Sequence, residues 1–124
     1  MKRILVVDDA ATVRMFHRQI LEAAGFAVEE AVNGVEALEK AVTSTFDLYL
    51  VDINMPKMNG YTFVSQLRAN RELQQAPVVM ISTESERADA TRAYQAGANF
   101  YIVKPCSPKR LAACARLMLG VEAR

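Results

Sequence analysis

Five short apolar runs alternating with five amphipathic stretches predict an α/β protein built on a doubly wound, five-stranded parallel sheet. Two further observations support that class. Residues 4–7, 47–51, 78–81 and 100–103 are nearly continuous in apolar character, as strands covered on both faces must be. Residues able to do chemistry, namely Asp8, Asp9, Asp52, Ser82 and Lys104, stand just past the ends of those four runs, where open α/β sheets carry their ligands.

Each element follows in chain order. Residues 4–7 make the first strand. Val13, Phe16, Ile20, Leu21 and Ala24 then fall on one helical face, with Thr12 as the expected N-cap and Gly25 just past the end. Residues 26–31 are the most polar of the five runs and are predicted to be an edge strand. After Asn33 and Gly34, the residues Val35, Leu38, Ala41 and Val42 repeat the helical pattern, and residues 47–51 supply the third strand. Asn59-Gly60 reads as a turn that opens a third helix through Tyr61, Phe63, Val64 and Leu67. Residues 78–81 are the fourth strand. The fourth helix spans about 86–96, ends at Gly97 and has an apolar side that is mostly alanine, thin packing that permits movement. Beyond the fifth strand, Ser107 as N-cap and Pro108 at the first helical position open a last helix through Leu111, Cys114, Ala115 and Met118, which stops at Gly120 and leaves 121–124 as a short tail. Right-handed crossovers with helices on both faces make the doubly wound fold the default, and in its flavodoxin-like (βα)5 form, of strand order 2-1-3-4-5, the crevice lies at the carboxyl ends of strands one and three.

Composition narrows the function. A chain of 124 residues, 52% hydrophobic, suits one core, so residues 1–124 are expected to be a single domain without an output domain. Lys and Arg number 15 against 14 Asp and Glu, and a net charge of +1 offers no long-range field toward nucleic acid or an anionic membrane. The apolar run ahead of Asp8 is too short for a signal peptide or a membrane span, and a cytoplasmic location is expected. Cys106 and Cys114 have neither metal-ligand nor CxxC spacing and read as reduced structural thiols.

The chemistry rests on Asp8, Asp9, Asp52, Ser82 and Lys104. Carboxylates a few ångströms apart repel by roughly 4 kcal/mol per pair at an effective dielectric near 20, which calls for compensating cations. Lys104 is one. An open site of oxygen ligands suits Mg²⁺ for the remainder, with Mn²⁺ nearly as good a fit. Beside such an ion, Asp52 is placed to attack a phosphoryl group and form an acyl phosphate, with Lys104 neutralising its oxygens and Ser82 donating a hydrogen bond. Pro105 tolerates a cis bond at Lys104. Asp47, Asp89 and Glu36 read as turn or capping residues. His17 has no second histidine or cysteine to pair with and is expected to be structural and partly packed, and the six methionines to fill gaps in the core.

The motifs Val6-Val7-Asp8-Asp9, Asp52-Ile53-Asn54-Met55-Pro56 with Asn59-Gly60, Ile81-Ser82-Thr83-Glu84, Gln95-Ala96-Gly97-Ala98 and Tyr101-Ile102-Val103-Lys104-Pro105 together resemble those of response-regulator receiver domains, most closely the stand-alone members that serve chemotaxis. The resemblance runs from Ile4 to about Leu119. It implies that Asp52 is the phosphoacceptor, supplied by a sensor histidine kinase or a histidine phosphotransfer domain. It implies that Asp9, Asp52 and the main-chain carbonyl of Asn54 ligate Mg²⁺, with Asp8 acting through a water. Lys104 contacts the phosphoryl group, Ser82 is the switch hydroxyl and Tyr101 the aromatic that changes rotamer. The readout face for a downstream target protein is then the fourth helix, fifth strand and fifth helix of a monomer with no direct nucleic-acid or membrane partner. Such a chain catalyses only its own phosphorylation and dephosphorylation. Asn54 and Glu84, two positions beyond Asp52 and Ser82, are polar groups able to hold a water near the acyl phosphate, which predicts comparatively rapid loss of the phosphoryl group. Cys106 and His17 depart from the family, which carries a bulky apolar residue at the first position and an aliphatic one at the second.

Three rivals remain at this level. A phosphohydrolase of the haloacid-dehalogenase kind uses the same nucleophile and metal but wants an aspartate where Asn54 stands. A flavin-binding module would place phosphate in the loop that Asp8 and Asp9 make anionic. A domain that only binds partners would not need the full set of Asp8, Asp9, Asp52, Ser82 and Lys104. A stand-alone phosphorelay receiver outside chemotaxis is the nearest alternative.

Overall fold

In the computed structural model, which describes residues 1–121, five parallel strands alternate with five helices: β1 (Arg3–Val7), α1 (Ala11–Ala23), β2 (Ala27–Ala31), α2 (Gly34–Thr43), β3 (Leu48–Val51), α3 (Gly60–Ala69), β4 (Val78–Ser82), α4 (Arg87–Ala96), β5 (Phe100–Val103) and α5 (Pro108–Leu119). The strand order is β2-β1-β3-β4-β5, as the sequence predicts, and residues 122–124 of the expected tail lie outside the described residues. Small offsets separate expectation from structure at the strand ends. Arg3 joins β1, Phe26 precedes β2, Asp47 precedes β3, and Ser82 is the last residue of β4.

Alternation along the strands divides the core into two layers. Ile4, Val6, Leu48, Leu50, Val79, Ile81 and Ile102 face α1 and α5 and pack with Leu21, Leu111, Cys114 and Ala115. Leu5, Val7, Tyr49, Val51, Val78 and Met80 face α2, α3 and α4, where Ala37, Ala41, Phe63, Val64, Leu67 and Ala93 meet them. Both faces of β1, β3 and β4 are therefore dry, which is why those runs carry no polar alternation. β2 lies at the edge, and its Glu29 and Glu30 turn outward onto Arg3, Arg14 and Arg18.

Three details of the helices correct the sequence reading. Thr12 is not a cap: α1 begins two residues earlier than such a cap implies, with Ala10 at the N-cap position, and it is Asp8 that turns the chain by accepting from the Ala10 amide at 2.9 Å. The buried stripe of α1 runs through His17 and Leu21, leaving Phe16 47% exposed while His17 is only 4% exposed. One residue along a helix is a rotation of about 100°, so Phe16 lies off the stripe although its spacing to Ile20 fits. In α2 the inward line is Gly34, Ala37 and Ala41, and Val35 and Val42 lie outside it, Val42 being 67% exposed.

The remaining caps obey local chemistry. Asn33, Asn59 and Ser107 each accept from a backbone N–H three residues on, and Glu86 and Asp89 form a reciprocal capping box on α4. Asp47 accepts from the Arg3 amide at 2.7 Å, and Glu36 from the Val32 amide at 3.3 Å, so these acids serve the backbone as expected. Gly97 ends α4 at φ +115°, in the left-handed region that a side chain resists. Among the described residues no helix is long and apolar enough to cross a membrane.

Candidate functional site

The parallel ladder places the acids side by side. The Asp52 amide donates to the Val7 carbonyl at 2.9 Å and the Asp8 amide to the Ala31 carbonyl at 3.1 Å, so pairing continues one residue past the ends of β1 and β3. Asp8 and Asp52 are buried and Asp9 is exposed, yet one carboxylate oxygen from each lies within 4.8 Å of the others. Lys104, one residue beyond β5, extends its ammonium to 2.9 Å from Asp8 Oδ2 and 3.4 Å from Asp52 Oδ1. Its peptide bond to Pro105 is cis.

Burial pushes the Asp52 carboxyl above its usual range; Lys104 pulls it back down, and the negative charge of Asp8 raises it again. One ammonium against three carboxylates leaves the cluster anionic. Hard oxygen donors, an exposed side at Asp9 and the absence of cysteine or histidine donors from the cluster fit a hydrated Mg²⁺ better than a soft metal. No other group of three potential metal-ligating acids, histidines or cysteines occurs among the described residues.

Around this centre stands a rim. Ser82 is fully buried at the end of β4, and its hydroxyl oxygen accepts from the Glu84 amide at 3.2 Å rather than touching an acid. The Asn54 amide donates to Glu84 Oε1 at 3.1 Å, so the two residues expected to hold a water are bonded to each other. Half-buried Tyr101 donates its phenol to the Glu84 carbonyl at 2.6 Å. Gly60, read from the sequence as part of a turn, is required by proximity: a Cβ there would collide with the Asp52 carbonyl oxygen. Its amide also donates to the Ile53 carbonyl at 2.8 Å.

Asp8, Asp9, Asp52 and Lys104 thus meet directly, while Ser82, Asn54 and Tyr101 are each hydrogen-bonded to Glu84 rather than to the acids. His17 is structural, as expected, but more deeply packed, with its Nδ1 lacking a hydrogen-bond partner among the described residues. Burial first and the Lys104 charge second depress its pKa, against an opposing pull from Asp8. Two residues escaped the sequence reading. Arg14 donates to the Asp8 carbonyl at 2.8 Å and to Glu30 at 2.7 Å, holding the loop that carries the first two acids. Tyr61, read only as a core residue of the third helix, also donates its phenol to the Asp89 carbonyl at 3.1 Å. Neither leaves a sequence signal, because Glu30 and Asp89 lie on other elements and the Asp8 contact is to a main-chain carbonyl.

The pattern that describes the response regulator receiver domain matches residues 4–116 of the chain. The chain is 39% identical to the chemotaxis protein CheY1 of Helicobacter pylori, over 97% of its own length and 98% of that protein. It is 38% identical to the transcriptional regulatory protein ResD of Bacillus subtilis over 88% of its own length, and spans only 44% of that protein. Among solved structures, the chemotaxis protein CheY4 of Vibrio cholerae superposes with a TM-score of 0.90 at 34% identity, covering 96% of this chain and 99% of that one.

Proposed function

The chain belongs to the response regulator receiver domain family of two-component signalling, and from that premise we propose that Asp52 is its phosphoacceptor and that phosphorylation switches a protein-binding face. The observation that carries this reading is the convergence of Asp8, Asp9 and Asp52 within 4.8 Å with Lys104 on two of them. An Asp52 carboxylate oxygen attacks phosphorus, the phosphorus–nitrogen bond of a kinase phosphohistidine breaks, and the departing imidazole keeps the electron pair and takes up a proton from solvent. Asp9, Asp52 and the Asn54 carbonyl would hold Mg²⁺, or Mn²⁺ in its place, with Asp8 engaged through a water. When bound, the ion neutralises charge on the phosphoryl oxygens.

The chain's own residues do the rest. Lys104 exchanges part of its contact with Asp52 for a phosphoryl oxygen. Ser82 gives up the Glu84 amide and turns its hydroxyl to the phosphoryl group, drawing the β4–α4 segment inward and opening space that Tyr101 fills. A hydrogen bond to a charged group contributes about 1.5 to 3 kcal/mol, enough to change a two-state ratio by roughly one to two orders of magnitude. Asn54 and Glu84 hold the water that later hydrolyses the acyl phosphate. The readout lies on α4, β5 and α5 of a monomeric, cytoplasmic protein, and the partners are a histidine kinase or phosphotransfer domain and a downstream target protein, neither nucleic acid nor membrane.

Similarity to CheY1 over 98% of that protein supports chemotaxis as the pathway. The comparable identity to ResD keeps a phosphorelay outside chemotaxis as the second reading. Incubation with acetyl phosphate and Mg²⁺, followed by intact-mass measurement, tests the central step. One added phosphoryl group, absent from Asp52→Asn, is expected; no mass gain, or the same gain in that variant, removes Asp52 as acceptor. Many-cycle turnover of p-nitrophenyl phosphate would instead mark a phosphohydrolase.

A further inference from the structure

Phenols from two different elements hold the chain just after Ser82 and the first turn of α4. Tyr101 of β5 donates to the Glu84 carbonyl at 2.6 Å, and Tyr61 of α3 donates to the Asp89 carbonyl at 3.1 Å. The second anchor is the more firmly based. Tyr61 is buried against the main core layer, and it directly follows Gly60, which is packed against the Asp52 carbonyl and bonded to Ile53. The Arg92 guanidinium of α4 lies 4.2 Å from the centre of the Tyr61 ring, adding a cation–π contact to the same junction. By contrast, the first turn of α4 has little else to hold it: Ala93, further along, is the helix's one buried residue, Arg68 bonds only the far end at the Gly97 carbonyl, and Glu86 and Asp89 are occupied with capping.

We propose that Tyr61 is a positioning residue that sets the resting balance of the switch, anchoring the first turn of α4 and thereby opposing movement of the β4–α4 segment onto a phosphorylated Asp52. The inference rests on the receiver reading. Movement of Ser82 toward a phosphoryl group must displace the backbone from Glu84 to Asp89, and the carbonyl at Asp89 cannot follow while the rigid, buried phenol of Tyr61 holds it. The Tyr61 hydrogen bond therefore stabilises the arrangement seen here and contributes nothing to the closed one. Its loss favours closure.

Beryllofluoride, which stands in for the phosphoryl group on a carboxylate, provides the test when titrated calorimetrically in excess Mg²⁺ into the full chain and into Tyr61→Phe. The variant keeps the ring and loses the hydroxyl. Its dissociation constant is expected to fall by roughly 2- to 10-fold, the span of one neutral hydrogen bond. Its melting temperature should fall without beryllofluoride and remain near that of the parent when saturated with it. A merely structural role would lower both melting temperatures equally and leave the dissociation constant unchanged, and that result, or weaker binding, overturns the proposal. Arg92→Ala, which spares the phenol bond, is the second variant and should shift the constant in the same direction by a smaller factor. If Tyr61→Phe does not fold, an unchanged or weaker affinity in Arg92→Ala is decisive against the proposal. Failure of the parent chain to bind beryllofluoride would instead sink the receiver reading beneath it.

Discussion

The side-chain amide of Asn54 donates to the carboxylate of Glu84 at 3.1 Å, joining the loop after β3, which carries Asp52, to the loop after β4. Both residues are exposed, so water exchanges readily for this bond, and opening it frees an amide and a carboxylate to bind one water beside the acyl phosphate. On the proposed reading, replacing Asn54 by Leu removes one of the two groups that would hold the attacking water. Loss of phosphate from Asp52, followed as a time course after removal of the donor, should slow by roughly tenfold. An unchanged half-life would show that Asn54 takes no part.

Asp52 should also weaken the fold that carries it. Burial raises its pKa, so the native chain binds the proton more tightly than the unfolded chain does. That contribution to stability is complete below the unfolded pKa and is lost as pH rises through the higher native value. Asp52→Asn escapes the loss. Without Mg²⁺, its advantage over the parent in thermal melts should be small in acid and grow toward neutral pH; an advantage that does not change with pH would contradict this.

His17 has the opposite dependence. Its depressed pKa means that the native chain binds fewer protons than the unfolded one. The resulting stability is present above the ordinary imidazole value of 6.5 and declines as pH falls through that value toward the native one. His17→Leu removes both the titration and the unpartnered Nδ1. Urea melts of the variant should show a flatter pH profile between about pH 7 and 5 and a gain of roughly 1 to 3 kcal/mol at the acid end. A profile parallel to the parent's would contradict this.

Lys57 adopts φ +67°, a left-handed conformation costly for a residue with a Cβ, and the Met58 amide closes a tight turn onto the Pro56 carbonyl at 2.7 Å. Glycine meets that geometry without the penalty. Lys57→Gly should raise stability by about 1 kcal/mol, less any entropy that glycine adds to the unfolded chain. Chemical denaturation with an unchanged m-value is the check.

Mg²⁺ should stabilise the chain by mass action, by about 2.7 kcal/mol at a concentration one hundred times its dissociation constant. Asp9 is the exposed member of the acid cluster. Asp9→Asn should therefore melt close to the parent without Mg²⁺ and lose most of the Mg²⁺-dependent gain. A gain equal to the parent's would take Asp9 out of the ligand set.

Sequence by itself determined the order of elements, the central strands and the acids at their ends, because these follow from short-range facts: continuous apolar runs demand burial on both faces, and a strand's end puts the next residue at the sheet's rim. It also carried the N-cap of α5 and the break at Gly97, which depend on residues a few places apart. The rotation of each helix is another matter. A helical period identifies a stripe only to within a residue, and packing against β1 and β2 chose His17 over Phe16 and Ala41 over Val42. The links of Tyr61 to Asp89, Arg14 to Glu30 and Asn54 to Glu84 join segments far apart in the chain. Only tertiary structure decided them, since a hydrogen bond needs its donor and acceptor within about 3 Å and no pattern along one segment encodes the position of another.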